Sequence, residues 1–337
     1  MTAATLDKSA KKGLAGVVPK KAQISVGLGT CGIGNGAMEL FEALKTAAAE
    51  TGVNIKRTGC FGFCAEEPLL MIYTPGNPVL LFTQAAAKSA KKYITAATDP
   101  GALLKLSRKA RAKISRWDFR TGSAVFGEGF EDVPEWNEIP FFKGQEKWIL
   151  RDSGMIDPES IEEYIAIGGY RALARAVGEL NPEDVIDIVT EANLRGRGGA
   201  GFPTGIKWKL MRQNEGAQKF VVCNADEGDP GAYMNRNAIE SDPHMLIEGM
   251  ILGAYATGAT GGFIYVRAEY PLAVQRLQKA LDDARRHGFL GKNIMGSNFS
   301  FDLTSVCGAG AFVCGEETAL IASAQGQSGR PVPRPPF

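Results

Sequence analysis

The chain has 337 residues with 38 Lys and Arg against 37 Asp and Glu, a formal charge of +1, which excludes a bulk electrostatic footprint for nucleic acid or an anionic membrane. Its 45% hydrophobic and 22% charged residues describe an ordinary globular chain, long enough for roughly two to three domains. Glycine stands out: 41 residues, about 12% against a usual ~7%, with no collagen-like period, so the chain has either many linkers or backbone loops that approach something closely. Six cysteines are too few for a disulfide scaffold, and Met1 to Lys21 lacks the apolar core of a signal peptide, so the expected location is cytoplasmic. The longest uncharged stretch, Gly249 to Val266, carries Gly-Ala-Thr-Gly-Gly at 258–262 and reads as a helix followed by a buried strand, with no membrane insertion.

In chain order, residues 1–21 form a tail. Residues 22–98 read as a compact α/β unit: an apolar run (Gln23 to Leu28), a Gly-rich turn and a helix over Ala37 to Ala49. Two apolar runs, Leu69 to Tyr73 and Val79 to Phe82, flank Thr-Pro-Gly-Asn-Pro, and a last helix covers Gln84 to Ala97. The order β-α-β-β-α is that of a thioredoxin-like domain. Residues 99–137 show no clear period and read as a linker or extension, with the basic run Lys105 to Arg116 as a solvated helix face. Over 138–337, Asp157-Pro158-Glu159 and Asn181-Pro182-Glu183-Asp184 each open a helix. Strands are predicted at Lys219 to Cys223 and Gly262 to Arg267, and helices at 243–257, 271–287 and 316–324.

Three segments here can carry chemistry. In Arg195-Gly-Arg-Gly-Gly-Ala-Gly-Phe-Pro-Thr-Gly-Ile-Lys-Trp208, glycines let the backbone present N–H groups to a phosphate or lie flat against a ring, and Lys207 adds a cation. A helical pattern precedes this loop, where a classical dinucleotide fingerprint requires a strand; a flexible glycine loop is the bland alternative. Cys223-Asn-Ala-Asp-Glu-Gly-Asp-Pro-Gly231 gathers three carboxylates and an amide after an apolar strand, suited to accept hydrogen bonds from hydroxyls or ring N–H groups. An acidic turn or a divalent cation site would use the same oxygens. Gly308-Ala-Gly-Ala-Phe-Val-Cys-Gly-Glu-Glu-Thr318 leads into a helix, and its acids could simply favour the helix dipole.

Together, and with Tyr233-Met-Asn-Arg236, His244-Met-Leu-Ile-Glu-Gly-Met250, Tyr265-Val-Arg-Ala-Glu-Tyr270 and Phe289-Leu-Gly-Lys-Asn293, these segments resemble the NADH-oxidising flavoprotein subunit of respiratory complex I. Relatives in NAD-linked hydrogenases and formate dehydrogenases share them, over about Phe142 to Phe337. The resemblance implies a Rossmann-like but non-classical FMN- and NADH-binding α/β domain that takes a hydride from NADH onto FMN and passes single electrons to iron–sulfur clusters. It implies FMN contacts by Gly196, Arg197, Gly198, Gly199 and Lys207, by Asn224, Asp226, Glu227 and Gly228, and by Phe312, Gly315, Glu316 and Glu317. NADH is implied at Phe202, Asp229, Glu317, Arg334 and Phe337, with no acid–base residue because hydride transfer is direct. Acidic residues near the ribose favour NAD over NADP. Phe312 stands where relatives usually carry Tyr, Leu210 replaces an aromatic, and Arg334 replaces Lys.

The family continues past Pro335-Pro-Phe337 into an SLBB-like domain and a [4Fe-4S] motif, and none of those cysteines occurs in this sequence. The N-terminal unit is similar to the thioredoxin-like [2Fe-2S] domain of hydrogenase-type members, which hold the cluster with two cysteine pairs. Cys60 and Cys64 supply the second pair, Gly27 and Gly32 fall where the first is expected, and Cys31 stands one residue off. The resemblance therefore implies either a [2Fe-2S] cluster on Cys31, Cys60 and Cys64 with a further ligand, or a docking surface. Cys223, Cys307 and Cys314 lack ligand spacing and read as buried small hydrophobes. The implied partners are a thioredoxin-like [2Fe-2S] subunit and iron–sulfur subunits of a hydrogenase, formate dehydrogenase or related reductase. A non-catalytic flavoprotein-like scaffold is the alternative.

Overall fold

The computed structural model describes residues 3–333. The chain divides into two compact units: Lys8–Gly168 with Glu240–Asp242, and Gly169–Ile239 with Pro243–Phe337 and Met1–Asp7.

In the first, α1 (Ala3–Val17) precedes β1 (Gln23–Gly27), α2 (Thr30–Gly34), α3 (Ala37–Ala48), β2 (Asn54–Thr58), β3 (Leu70–Tyr73), β4 (Val79–Phe82), α4 (Ala90–Thr98), α5 (Pro100–Ser107) and β5 (Ala112–Ile114). The five strands form one sheet in the order β2-β1-β3-β4-β5, with β1 and β2 parallel and the other pairings antiparallel. Every residue of β3 and β4 is buried, which is why they read as continuous apolar runs. Leu40 and Leu44 of α3 and Tyr93 and Ile94 of α4 pack into the core that Ile24, Leu70 and Leu80 share. A two-stranded ribbon, β6 (Arg116–Phe119) with β7 (Gly122–Val125), and α6 (Ile161–Ala166) complete the unit.

Several elements differ from expectation. The segment 99–137 is not a linker in this sheet, since it supplies β5, three residues flanked by charges and too short to show a period. β2 lacks apolar alternation because its buried central residue is Lys56. Its Nζ lies 2.7 Å from Glu163 Oε2 with side-chain exposures of 4% and 10%, and it donates to Gly16 O at 2.8 Å and Met155 O at 2.9 Å. The helix expected from Gln84 begins only at Ala90, because Gln84 adopts φ 49° and a 3-10 turn intervenes at Ala87–Ser89. Asp157 Oδ1 accepts from Glu159 N at 2.9 Å, a side-chain turn that delays the helix to Ile161, capped by Ser160.

The second unit holds α7 (Arg171–Glu179), α8 (Pro182–Glu191), α9 (Thr204–Gln213), β8 (Phe220–Ala225), α10 (Met234–Ser241), α11 (Pro243–Thr257), β9 (Gly261–Arg267), α12 (Pro271–Arg286), β10 (Asp302–Gly308) and α13 (Glu317–Ala324). The helix expected to open at Asn181-Pro182 does so, and Asn181 and Asp184 add a capping box with Pro182 in the first turn. Three parallel strands in the order β10-β9-β8 are joined by crossovers through α11 and α12, the α/β arrangement expected. β10 escapes sequence reading because only Leu303 and Gly308 of its residues are buried. Glu248 on α11 accepts from Tyr170 N at 2.8 Å and Leu173 N at 3.2 Å, tying the start of α7 to it. Among the described residues no helix is long and apolar enough to cross a membrane.

Lys56 and Glu163 are taken out of water together, so removing one leaves the other uncompensated. Lys56→Met should lower unfolding stability by about 3–5 kcal/mol, and Lys56→Met with Glu163→Leu should recover much of it; urea unfolding of both variants measures this.

Candidate flavin and dinucleotide site

A parallel α/β sheet binds ligands beyond the carboxyl ends of its strands, where the loops diverge. Here those ends are Ala225, Arg267 and Gly308, and the second and third motif segments follow two of them directly. The structure joins them. Asn224 Nδ2 donates to Gly315 O at 2.8 Å, Asn224 Oδ1 accepts from Asp226 N at 3.1 Å, and a Cβ on Gly228 would come within 2.6 Å of the Phe312 ring. A Cβ on Gly315 would lie 3.4 Å from Asp226 Oδ2.

Glu227 and Glu316 differ from expectation, because the chain itself uses their carboxylates. Glu227 accepts from Asn235 N at 3.0 Å and Arg236 N at 3.1 Å, at the N-terminus of α10. Its carbonyl accepts from Arg267 Nη1 at 3.0 Å and Tyr270 Oη at 2.9 Å. Glu316 is the N-cap of α13, accepting from Thr318 N and Ala319 N at 2.9 and 3.0 Å. Both are positioning residues in this structure. Arg267 and Tyr270 were not named as site residues; the signals for them were their place in the segment Tyr265-Val-Arg-Ala-Glu-Tyr270 and at the end of a predicted strand.

Asp226 behaves differently. Its Oδ2 is buried with no hydrogen-bond partner among the described residues, and burial raises its pKa against the nearby Arg267. Native proteins rarely leave a buried carboxylate oxygen unsatisfied, so this atom suits a ligand donor. Asp229 is exposed beside it, its carbonyl accepting from Ala232 N at 3.0 Å. Glu317 is exposed in the first turn of α13.

The glycine loop lies between α8 and α9, so a helix does precede it. It closes on itself through Gly196 N to Phe202 O at 2.9 Å and Thr204 N to Leu194 O at 2.8 Å, and Arg197 donates to Arg195 O. Gly199 needs glycine's backbone freedom, at φ 103°. Gly198 has no such need, and a Cβ there would meet nothing within 4 Å. Nothing inside the chain demands glycine at that position, as expected where a ligand must lie against backbone. Phe202 is 49% and Phe312 68% exposed, Lys207 is exposed on α9, and large aromatics left so exposed suit stacking. Arg334 and Phe337 lie outside the described residues.

The cysteines fall into two groups. Cys314 is buried as expected, but Cys223 is only half-buried and Cys307 is exposed, contrary to expectation; desolvation pushes the Cys223 thiol up to about 11. In the first unit Cys60 and Cys64 place their Sγ atoms 3.6 Å apart. Among the described residues no group of three or more His, Cys, Asp or Glu is placed to hold a metal ion. A Cβ on Gly27 or Gly32 would come within 3.3 or 3.1 Å of the Glu67 carboxylate. Both positions expected for the first pair therefore face the Glu67 carboxylate.

An open α/β unit with a polar, partly unsatisfied site at its strand ends defines a nucleotide- or flavin-binding class. Residues 189–337 match the Nuo51 FMN-binding domain family. The NADP-reducing hydrogenase subunit HndC of Solidesulfovibrio fructosivorans is 57% identical over 195 residues, 58% of this chain and 39% of that protein. An NADH-quinone oxidoreductase subunit of Aquifex aeolicus (strain VF5) is 52% identical over 178 residues, 53% of this chain and 41% of that protein. The chain thus spans about two-fifths of the length of these curated relatives. A solved NAD+-reducing [NiFe]-hydrogenase in the air-oxidized state aligns over 100% of this chain and 54% of that chain, at 24% identity and a TM-score of 0.44, a likeness too loose to carry an argument.

Gly198→Ala should leave unfolding stability within about 0.5 kcal/mol yet lower flavin content, whereas Glu227→Ala should cost about 1–3 kcal/mol through the lost cap and orphaned N–H groups; paired thermal melts and flavin quantitation separate the two. Glu67, raised from 4.5 to about 7 chiefly by burial, holds a proton when folded that the unfolded chain has released. Its contribution is therefore complete below pH 4.5 and is lost as pH rises towards 7, about 3 kcal/mol in all. Unfolding across that range should show the decline in the native chain and not in Glu67→Gln.

Proposed function

We propose that this chain is the FMN-bearing part of a subunit that oxidises NADH, or reduces NAD+, within a larger redox assembly. The observation that carries the reading is the coincidence of the Nuo51 FMN-binding segment, residues 189–337, with a glycine that the chain's own packing does not require and a buried carboxylate oxygen without a partner among the described residues. Bound FMN supplies a centre that accepts a hydride as an electron pair and gives electrons up singly.

The chain's own residues bind and orient. The backbone N–H groups of Gly196 to Gly199 and the ammonium of Lys207 serve a phosphate, Arg197 adds charge, and Asn224, Asp226 and Gly228 serve the ribityl and ring edge. Gly315 and Phe312 border the same space, and Glu227 and Glu316 hold those loops in place. Phe202 serves to stack on the adenine of the dinucleotide, and Asp229 and Glu317 serve its ribose and nicotinamide groups. Arg334 and Phe337 are proposed on the resemblance alone. The proposed partners are iron–sulfur subunits that remove single electrons, in a hydrogenase, formate dehydrogenase or related reductase.

Anaerobic addition of NADH to the FMN-loaded chain should bleach the flavin spectrum. Asp226→Ala should weaken FMN binding roughly tenfold, about 1.4 kcal/mol, and Phe202→Ala should raise the NADH concentration needed for half-maximal bleaching. Because one relative is named for NADP reduction, NADPH is the comparison substrate, and bleaching by NADH at lower concentration is expected. A chain that binds no FMN, or binds FMN that neither dinucleotide bleaches, would leave the scaffold reading.

A further inference from the structure

The first unit contains a cavity to which none of the three motif segments contributes. It encloses about 460 Å3 beside the β6–β7 ribbon, within the roughly 300–1,000 Å3 of small-molecule sites. Trp117 of β6, Trp136 and Lys147 line it, with Arg116 and Arg151 adding positive charge at its wall. The two indole rings lie 4.9 Å apart between centroids, and Trp136 is half-buried, so flat apolar surface borders the space.

The acids at this cavity are already engaged, whereas two of its donors are not fully used. Asp118 accepts from Arg116 Nε at 3.2 Å and from Ser123, and Glu135 accepts from Ser115 N at 3.3 Å and from its hydroxyl. Lys147 Nζ donates to Phe61 O at 2.6 Å and lies 3.7 Å over the Phe61 ring, with Phe142 at 4.6 Å and Trp136 at 5.2 Å. Rings and a carbonyl hold the ammonium in place, but no carboxylate among the described residues acts on its charge. Burial lowers its pKa to about 7, the direction expected where no anion offsets desolvation. Trp117 is 4% exposed, and its Nε1 is buried without a hydrogen-bond partner among the described residues. A buried indole N–H usually has a partner, and it can only donate.

Lys147 Nζ lies 5.7 Å from the centre of the Trp117 ring, a gap that one carboxylate spans with a hydrogen bond of roughly 2.8–3.0 Å to each donor. An inorganic anion would leave the indole surface uncovered, and a neutral aromatic would leave the ammonium uncompensated. We infer that this cavity binds a small aromatic carboxylate, its oxygens taken by Lys147 Nζ and Trp117 Nε1 and its ring laid against Trp136. The site lies wholly within the first unit, and the reading does not rest on the flavin reaction.

The test is calorimetric titration of benzoate into the full chain, with and without FMN, compared with benzyl alcohol, acetate and inorganic phosphate. Saturable benzoate binding at a single site is expected in both forms, with each other probe at least about tenfold weaker because it lacks the charge or the ring. Lys147→Met discards the charge and keeps the side-chain length, and Trp117→Phe discards the N–H and keeps a ring. Each should weaken benzoate roughly tenfold, while near-UV circular dichroism reports whether the variant is folded. If either variant fails to fold, the native chain's selectivity among the four probes decides. Benzoate that does not bind the native chain, binds both folded variants as tightly, or is displaced by FMN would overturn the inference. So would acetate, phosphate or benzyl alcohol binding as tightly as benzoate. No readout involves dinucleotide bleaching, so this inference and the proposed function fail separately.

Discussion

The second unit depends on what Glu227 does at the carboxyl end of its sheet. Parallel strands end in loops that have no ladder to hold them, and buried polar groups in such loops must find partners or carry a desolvation cost. Glu227 meets this twice. Its carboxylate takes the first N–H groups of α10, and its carbonyl takes Arg267 and Tyr270 from the end of β9. The next residue, Gly228, has no side chain, so the Phe312 ring from beyond β10 lies against it. One dipeptide therefore joins the exits of all three strands, and the unsatisfied Asp226 oxygen sits immediately before it.

The division of labour among the acids follows from this. Residues 226, 227 and 316 look alike as acids in a motif, yet two of them complete helix starts and one keeps a buried oxygen without a partner among the described residues. A helix N-terminus offers N–H donors to the nearest acid, so the acids adjacent to α10 and α13 are consumed by the fold. Asp226 lies just outside that reach. The same logic separates the glycines: Gly228 and Gly308 are required by a ring pressed against them, and Gly198 by nothing in the chain.

The first unit shows a different economy of buried charge. Lys56 and Glu163 pair inside it, Arg120 meets Asp152 and Asp242 at 3.0 and 3.2 Å, and Lys147 lies 3.7 Å over the Phe61 ring with Phe142 at 4.6 Å. Burial lowers the Lys147 pKa to about 7. Each such group is held by specific partners, because an isolated buried charge is costly. Glu67 belongs to this set, its carboxylate standing beside Gly27 and Gly32.

The apolar periodicity and turn chemistry of the sequence by themselves determined most helices, the central strands β3, β4, β8 and β9, and the α/β class. They did so because buried central strands and amphipathic helices repeat locally. The three motif segments were legible for the same reason, being short and dense in glycine and acid. β2, β5 and β10 were not legible: one buries a lysine, one is three residues long, and one is mostly uncovered. Only the tertiary structure decided which acid keeps an unsatisfied oxygen and which cap helices, since that depends on N–H groups up to nine residues away. It alone decided that Cys60 and Cys64 meet beside the Glu67 carboxylate, which arrives from a residue that no cysteine spacing points to.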